Sequence, residues 1–288
     1  MRFAYGLSLA AWEVAGTTYM VDLTPAERSA EAASYYGIGN NLALGLGPAV
    51  GALMLGQDAA FNMVFVTAAV LSIGGALIIV PVRESPRRTT PNQVGPGHYI
   101  SRQTIVPAML LVSVTLVYGA FSGFVGPYAI EMGIGTSGVA WFWGTYAAVL
   151  CVVRLRSGWL ADRYGHLVSV ALGLVLVGLS LWAIAAGSMA GFVVGAAAFA
   201  VGFAFFYPAL LATAMKQLGA DDRGAGVATF TAGFDIGIGC GSILFGIVAG
   251  FAGYQVSFAL AALAPFAALG CVILRLCRPR STSDPGPR

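Results

Sequence analysis

The charges of this 288-residue chain are few and clustered. Its 27 ionised side chains, 15 basic and 12 acidic, leave stretches of 19 to 26 residues with almost none. An α-helix needs about 20 apolar residues to cross about 30 Å of hydrocarbon, so such stretches are long enough to be membrane spans. Composition agrees: 58% of residues are apolar and 9% charged, against about 25% charged in an average soluble domain. So few charges cannot cover a water-facing surface, and the expected fold class is an all-α polytopic membrane protein.

Nine spans are expected, at 3–21, 32–55, 59–82, 105–129, 138–156, 168–187, 190–215, 225–250 and 255–276. The longest connection, 83–104, has 22 residues, too few for a soluble catalytic domain. Thr24-Pro25-Ala26-Glu27 reads as a capping box with proline in the first helical turn, which restarts a helix after the first span. The chain divides accordingly into a partial first bundle of three helices (1–82), an inter-bundle loop (83–104), a six-helix second bundle (105–277) and a short tail (278–288).

Arginine sets the orientation. With the 83–104 loop in the cytoplasm, 14 of 15 basic residues lie on the cytoplasmic side and only Arg2 opposite, a strong positive-inside bias. The C-terminus is then expected inside and the N-terminus outside. The four cysteines, Cys151, Cys240, Cys271 and Cys277, have neither metal nor disulfide spacing, and His98 and His166 lie in connections. No cofactor or metal is implied, and a net charge of +3 gives no argument for nucleic acid. Gly135-Thr136-Ser137-Gly138 has the outline of an intramembrane serine protease motif, but its serine would need a histidine base, and no span contains one.

An internal repeat organises the chain. Shifting by 195 residues lays Glu27-Arg28 on Asp222-Arg223, Ser34-Tyr35 on Thr229-Phe230, Asn40 on Asp235 and Gly51 on Gly246. Shifting by 193 lays Phe61-Asn62-Met63-Val64-Phe65 on Tyr254-Gln255-Val256-Ser257-Phe258. The first three helices thus look like a copy of the last three, in the same direction, as in carriers built from parallel halves. Six helices in one half against three in the other imply that about 85 residues, three helices, precede Met1.

At these residues the chain resembles the major facilitator superfamily, within it the bacterial drug- or metabolite-efflux branch. Arg154-Leu155-Arg156-Ser157-Gly158-Trp159-Leu160-Ala161-Asp162-Arg163-Tyr164-Gly165 resembles its cytoplasmic loop signature R-x-x-x-G-x-L-A-D-R-x-G. Gly158 and Gly165 allow a tight turn, and Asp162 can latch onto a helix N-terminus or an arginine and let go when the halves rock. Arg154, Gly158, Asp162, Arg163 and Gly165 are therefore the expected latch. Asp22-Leu23-Thr24-Pro25-Ala26-Glu27-Arg28 resembles the D-x-x-P-x-x-R loop, which nominates Asp22, Pro25, Arg28 and, through the repeat, Arg223. Gly45, Gly47, Pro48 and Gly51 resemble the antiporter signature G-x-x-x-G-P-x-x-G, with Ala43 in place of its first glycine. Met1-Arg2-Phe3-Ala4-Tyr5-Gly6 is similar to the tail of R-x-x-Q-G, with Tyr5 replacing the glutamine.

The resemblance implies the last nine helices of a 12-helix, two-bundle fold in the cell membrane. It also implies a substrate pocket at mid-membrane, for which Asn40, Tyr118, Phe121, Tyr146 and Phe206 are the expected walls. Glu13 and Asp235 are the two charges near mid-span. A carboxylate there costs about 2.5–3.5 kcal/mol on insertion scales and faces a partner or a cavity, a setting that suits binding and releasing a proton. Three readings stay open. One is a proton-coupled efflux carrier for a small amphipathic or aromatic molecule. Another is an uptake carrier for a neutral sugar or similar metabolite. The third is a non-transporting membrane fragment. An acid importer is expected to carry a basic residue at mid-span, and none is read there. The expected partners are a small-molecule substrate, protons and the lipid bilayer.

Overall fold

The computed structural model describes residues 6–9, 11, 12, 15, 16, 19, 29–56, 61–81, 101–216 and 223–277, all in helices or the short turns between them. The helices are α1 (Ser29–Gly56), α2 (Phe61–Ile79), α3 (Ile105–Glu131), α4 (Gly135–Tyr164), α5 (His166–Ala185), α6 (Met189–Lys216), α7 (Arg223–Ala261) and α8 (Leu263–Cys277). Six stretches among the described residues are long and apolar enough to cross a membrane. The last of them, Ala228–Leu274, is 47 residues long and takes in most of two expected spans, 225–250 and 255–276. Its backbone leaves the helix at Gly253, where φ is +84°. A β-carbon is disfavoured there, so one apolar run folds into two legs. Ser257 Oγ ties the second leg to the first by donating to Phe245 O at 2.9 Å. Of the first expected span, 3–21, residues 6–9, 11, 12, 15, 16 and 19 are described, and all are helical.

The turns are tighter than the sequence led one to expect. The 157–167 stretch, expected as a loop, is helical through Tyr164, and Gly165 alone makes the turn with φ +95°. Likewise α4 begins at Gly135, so three residues separate it from α3, with Gly133 at φ +71° and Ile134 N–H donating to Ala129 O at 2.9 Å. Long apolar stretches are helical to their ends because an unpaired backbone group is costly in hydrocarbon.

Helices α3 to α8 form one bundle, in which α3 lies along α7, α5 along α6, and α4 along α6. Lipid tails are as apolar as leucine, so close packing rather than hydrophobic exclusion holds such helices together. Glycine makes the closest crossings. A β-carbon on Gly173 of α5 would sit 2.7 Å from Gly202 O of α6, and one on Gly202 would sit 2.8 Å from Gly173 O. On α7, Gly237 and Gly241 pass directly over Thr115 and Leu116 of α3, while Gly119 of α3 meets Ile238 and Ser242 in return. At the far end, Tyr128 Oη donates to Ala185 O at 2.9 Å, joining α3 to the α5–α6 turn.

Helix α1 packs mainly on α4. Its buried side chains include Ala49 and Ala52, and Ala49 belongs to the same apolar core as α3–α8. Helix α2 touches α1 and has no buried residue. Phe61, Phe65, Leu71 and Ile78 are all exposed along it.

Candidate functional site

Two features of the bundle bear on function: an aromatic cluster that ends in an arginine, and the outward face of α7.

The cluster comes from regular helical spacing. On α6, Phe199, Phe203 and Tyr207 recur every four residues and so share a face. On α4, Phe142, Tyr146 and Leu150 do the same, and the next position on that stripe is Arg154. Helix α3 contributes Tyr118 and Phe121. Phe121 stacks on Phe199 at 4.0 Å between ring centroids and lies 4.8 Å from Phe142 and 5.5 Å from both Trp143 and Tyr146. Each such pair adds about 0.5–1.5 kcal/mol beyond its area burial, so these rings brace α3, α4 and α6 against one another.

Towards the α4 C-terminus the cluster becomes polar. The Arg154 guanidinium lies over the Tyr207 ring, 6.0 Å from its centroid, and interacts electrostatically with the Tyr207, Tyr146 and Cys151 side chains. Tyr118 and Tyr146 are both buried, and their hydroxyls are neighbours. The two hydroxyls interact with each other. Tyr207 also meets Phe203 at 5.7 Å and Phe230 of α7 at 5.7 Å, edge-on.

Among the expected pocket walls, Tyr118, Tyr146 and Phe121 are thus brought together, but inside the bundle. All three are buried in the core cluster of the bundle. Phe206 is also fully buried, yet it turns the other way, against Gly173 of α5. Asn40 lies in α1, and its side chain is outside the described ones.

The expected latch is divided. Gly165 occupies the turn as expected, and Arg163 is exposed one residue before the α4 C-terminus. Gly158 and Asp162 lie in the last turns of α4, and the Asp162 side chain is outside those described. Arg154, within the expected 138–156 span, is inside α4, ten residues before the end, and turned inward to α6. Helix α4 continues where the 157–167 loop was expected, so Gly158, Asp162 and Arg163 are helical. Tyr207 and Phe199 were not read as site residues from the sequence, although their four-residue spacing opposite Tyr146 and Arg154 was a usable signal.

The antiporter-like positions lie on α1. Gly47 and Pro48 are exposed, and Gly51 approaches Val64 of α2, 3.9 Å from where its β-carbon would be. The contact with the second bundle is therefore made through neighbouring alanines rather than through Gly47 and Pro48. The surroundings of Gly45 and the side chain of Arg223 are outside those described, and Glu13, Asp22, Pro25 and Arg28 are outside the described residues altogether.

Asp235 lies on α7, and the structure gives it a distinct setting. The stripe that packs on α3 runs through Gly233, Gly237 and Gly241. Asp235 is two residues off that stripe, about 200° around the helix, and is exposed among Ala232, Ile236, Gly239, Cys240 and Ile243.

Comparison with family models matches the chain to the Major Facilitator Superfamily twice, over residues 1–175 and over residues 108–288. The two matches overlap between 108 and 175, as a chain built from a repeated unit allows. No curated protein matches the chain.

Proposed function

The chain belongs to the major facilitator superfamily, and from that premise we propose that it is a secondary active carrier that exports a small amphipathic or aromatic molecule by proton-coupled alternating access. The family's members are membrane transporters rather than enzymes, and this chain is a multi-pass membrane protein. The observation that carries the finer reading is Asp235. It stands mid-span on a face of α7 turned away from α3. A carboxylate in that position is too costly to present to lipid and calls for a water-filled cavity or a covering helix. Exchange between those two surroundings is what a proton-coupled carrier needs. The contact of α1 with α4 through small side chains supports the rocking motion, because small residues allow backbones to slide closely.

The internal repeat extends the proposal. Under the 195-residue shift α7 corresponds to α1, and α1 packs on α4. The counterpart of α4 that would cover the Asp235 face is not among the 288 residues. We infer that these helices are the last nine of twelve and that the full two-bundle unit carries the activity. In proteoliposomes, a version with three further helices is expected to drive substrate flux when a pH gradient is imposed, and a protonophore should collapse it. Residues 1–288 alone are expected to give little or none; robust flux from them would overturn the twelve-helix reading. Gradient-independent flux from the longer version would overturn proton coupling.

The orientation has its own test. The cytoplasmic surfaces are inferred at 22–31, 83–104, around Gly165, at 216–224 and at the C-terminus, in the cell membrane, from the distribution of arginine. Single cysteines at Thr90 and Ser188 are expected to react with an impermeant thiol reagent from the inside and the outside respectively. The reverse pattern would invert the topology.

A further inference from the structure

We propose that Arg154, with Tyr207, Tyr146 and Tyr118, binds the carboxylate of a small aromatic organic acid, so that the molecule carried is an organic anion. The proposal rests on the carrier reading and names its substrate class.

The cluster's contacts close a ring. Arg154 lies over Tyr207; Tyr207 touches Phe203 at 5.7 Å; Phe203 stacks on Tyr118 at 6.0 Å; the Tyr118 hydroxyl neighbours that of Tyr146; and Tyr146 interacts with Arg154. Around this ring are one fixed positive charge, two neighbouring buried hydroxyls and several aromatic faces. Among the described residues no carboxylate pairs with Arg154, and the groups that interact with it are the side chains of Tyr207, Tyr146 and Cys151. A half-buried guanidinium has given up much of its hydration and is costly unless an opposite charge replaces it. A substrate carboxylate meets that need with two parallel N–H···O bonds, for which the guanidinium fork is shaped. The Tyr118 and Tyr146 hydroxyls can turn from each other and donate to the same oxygens. The flanking rings of Phe203, Phe121 and Phe199 suit an aromatic body on the anion.

Direction favours this over a headgroup contact. Arg154 stands three residues inside the end of the apolar stretch Gly135–Ser157 and Tyr207 seven inside that of Met189–Ala214. An arginine that merely reached for lipid phosphates would point outward along α4, whereas this one points across to α6.

The test uses the 288-residue chain in nanodiscs and titration calorimetry with benzoate, phenylacetate and 1-naphthoate against their three neutral amides. At least one carboxylate is expected to bind tenfold or more tightly than its amide. Arg154→Gln should erase that preference while leaving amide affinity unchanged. Arg154→Lys should restore part of it, since a point charge remains without the fork. If Arg154→Gln does not fold, Tyr118→Phe keeps the proposal exposed: it should weaken the carboxylate severalfold and leave the amide alone. Equal binding of acid and amide, binding of none of the six, or a preference that survives Arg154→Gln would each overturn the anion site. Substrate flux without any carboxylate preference would overturn this proposal and leave the carrier reading standing. A clear preference in a longer version that carries nothing would support the site and overturn the carrier.

Discussion

Asp235→Asn, in the version with the complete pair of bundles, is expected to abolish accumulation driven by a pH gradient while substrate exchange down its own gradient persists. The amide keeps the size of the carboxylic acid and most of its hydrogen bonds but cannot take up and release a proton. Binding and rocking should therefore survive, and only the coupling should fail. The repeat sharpens the choice. The position equivalent to Asp235 is Asn40, which is already uncharged, so the two repeat-related positions hold one protonatable and one fixed polar group. Glu13→Gln is the companion experiment. Loss of coupling there and not at Asp235 would move the proton site to the first span. Full coupling in both variants would eliminate proton coupling through these carboxylates.

The second large effect concerns the α3–α7 crossing. A β-carbon on Gly241 would collide with the Leu116 backbone, whereas one on Gly239, two residues earlier on the same helix, meets nothing within 4 Å. Gly241→Ala must push two backbones apart, and overpacking of this kind costs about 1–3 kcal/mol. Gly239→Ala gains helix propensity of about 1 kcal/mol and gives up no contact. Thermal unfolding in detergent should show Gly241→Ala markedly less stable than the parent and Gly239→Ala equal or slightly more stable. Equal midpoints for the two variants would mean that α3 and α7 do not cross where Gly241 and Leu116 meet. The same pair probes the proposed cover of α7. In the twelve-helix version Gly239 would face a partner helix, and its alanine variant should there become destabilising.

Long apolar stretches and their interruptions were legible in the sequence because hydrocarbon imposes a strong constraint. A charge-free run of sufficient length has few alternatives to a helix, and its backbone must pair internally. Residues 105–129, 168–187 and 190–215 therefore match α3, α5 and α6 to within two residues at every end. Gly165 was legible for a similar reason: a turn between two antiparallel helices this tight requires positive φ, and glycine adopts it freely.

Which way each helix faces was another matter. Sequence periodicity weakens when nearly every position is apolar, since lipid and protein interior select the same side chains. Tyr118, Phe121, Tyr146 and Phe206 all read as pocket walls. The packing sends Phe206 to Gly173 and gathers the other three with Phe199 and Phe142 inside the bundle. Arg154 read as part of a cytoplasmic latch because it opens the loop signature, and only the packing of α4 on α6 turned it over Tyr207. Asp235 could be placed at mid-span by counting, but its exposed face follows from the glycine stripe that presses α7 onto α3. Length, membrane residence and family thus belong to the sequence, because the bilayer acts on each segment separately. The direction in which a charge points belongs to the tertiary structure, because it depends on which small residues let two particular helices come close.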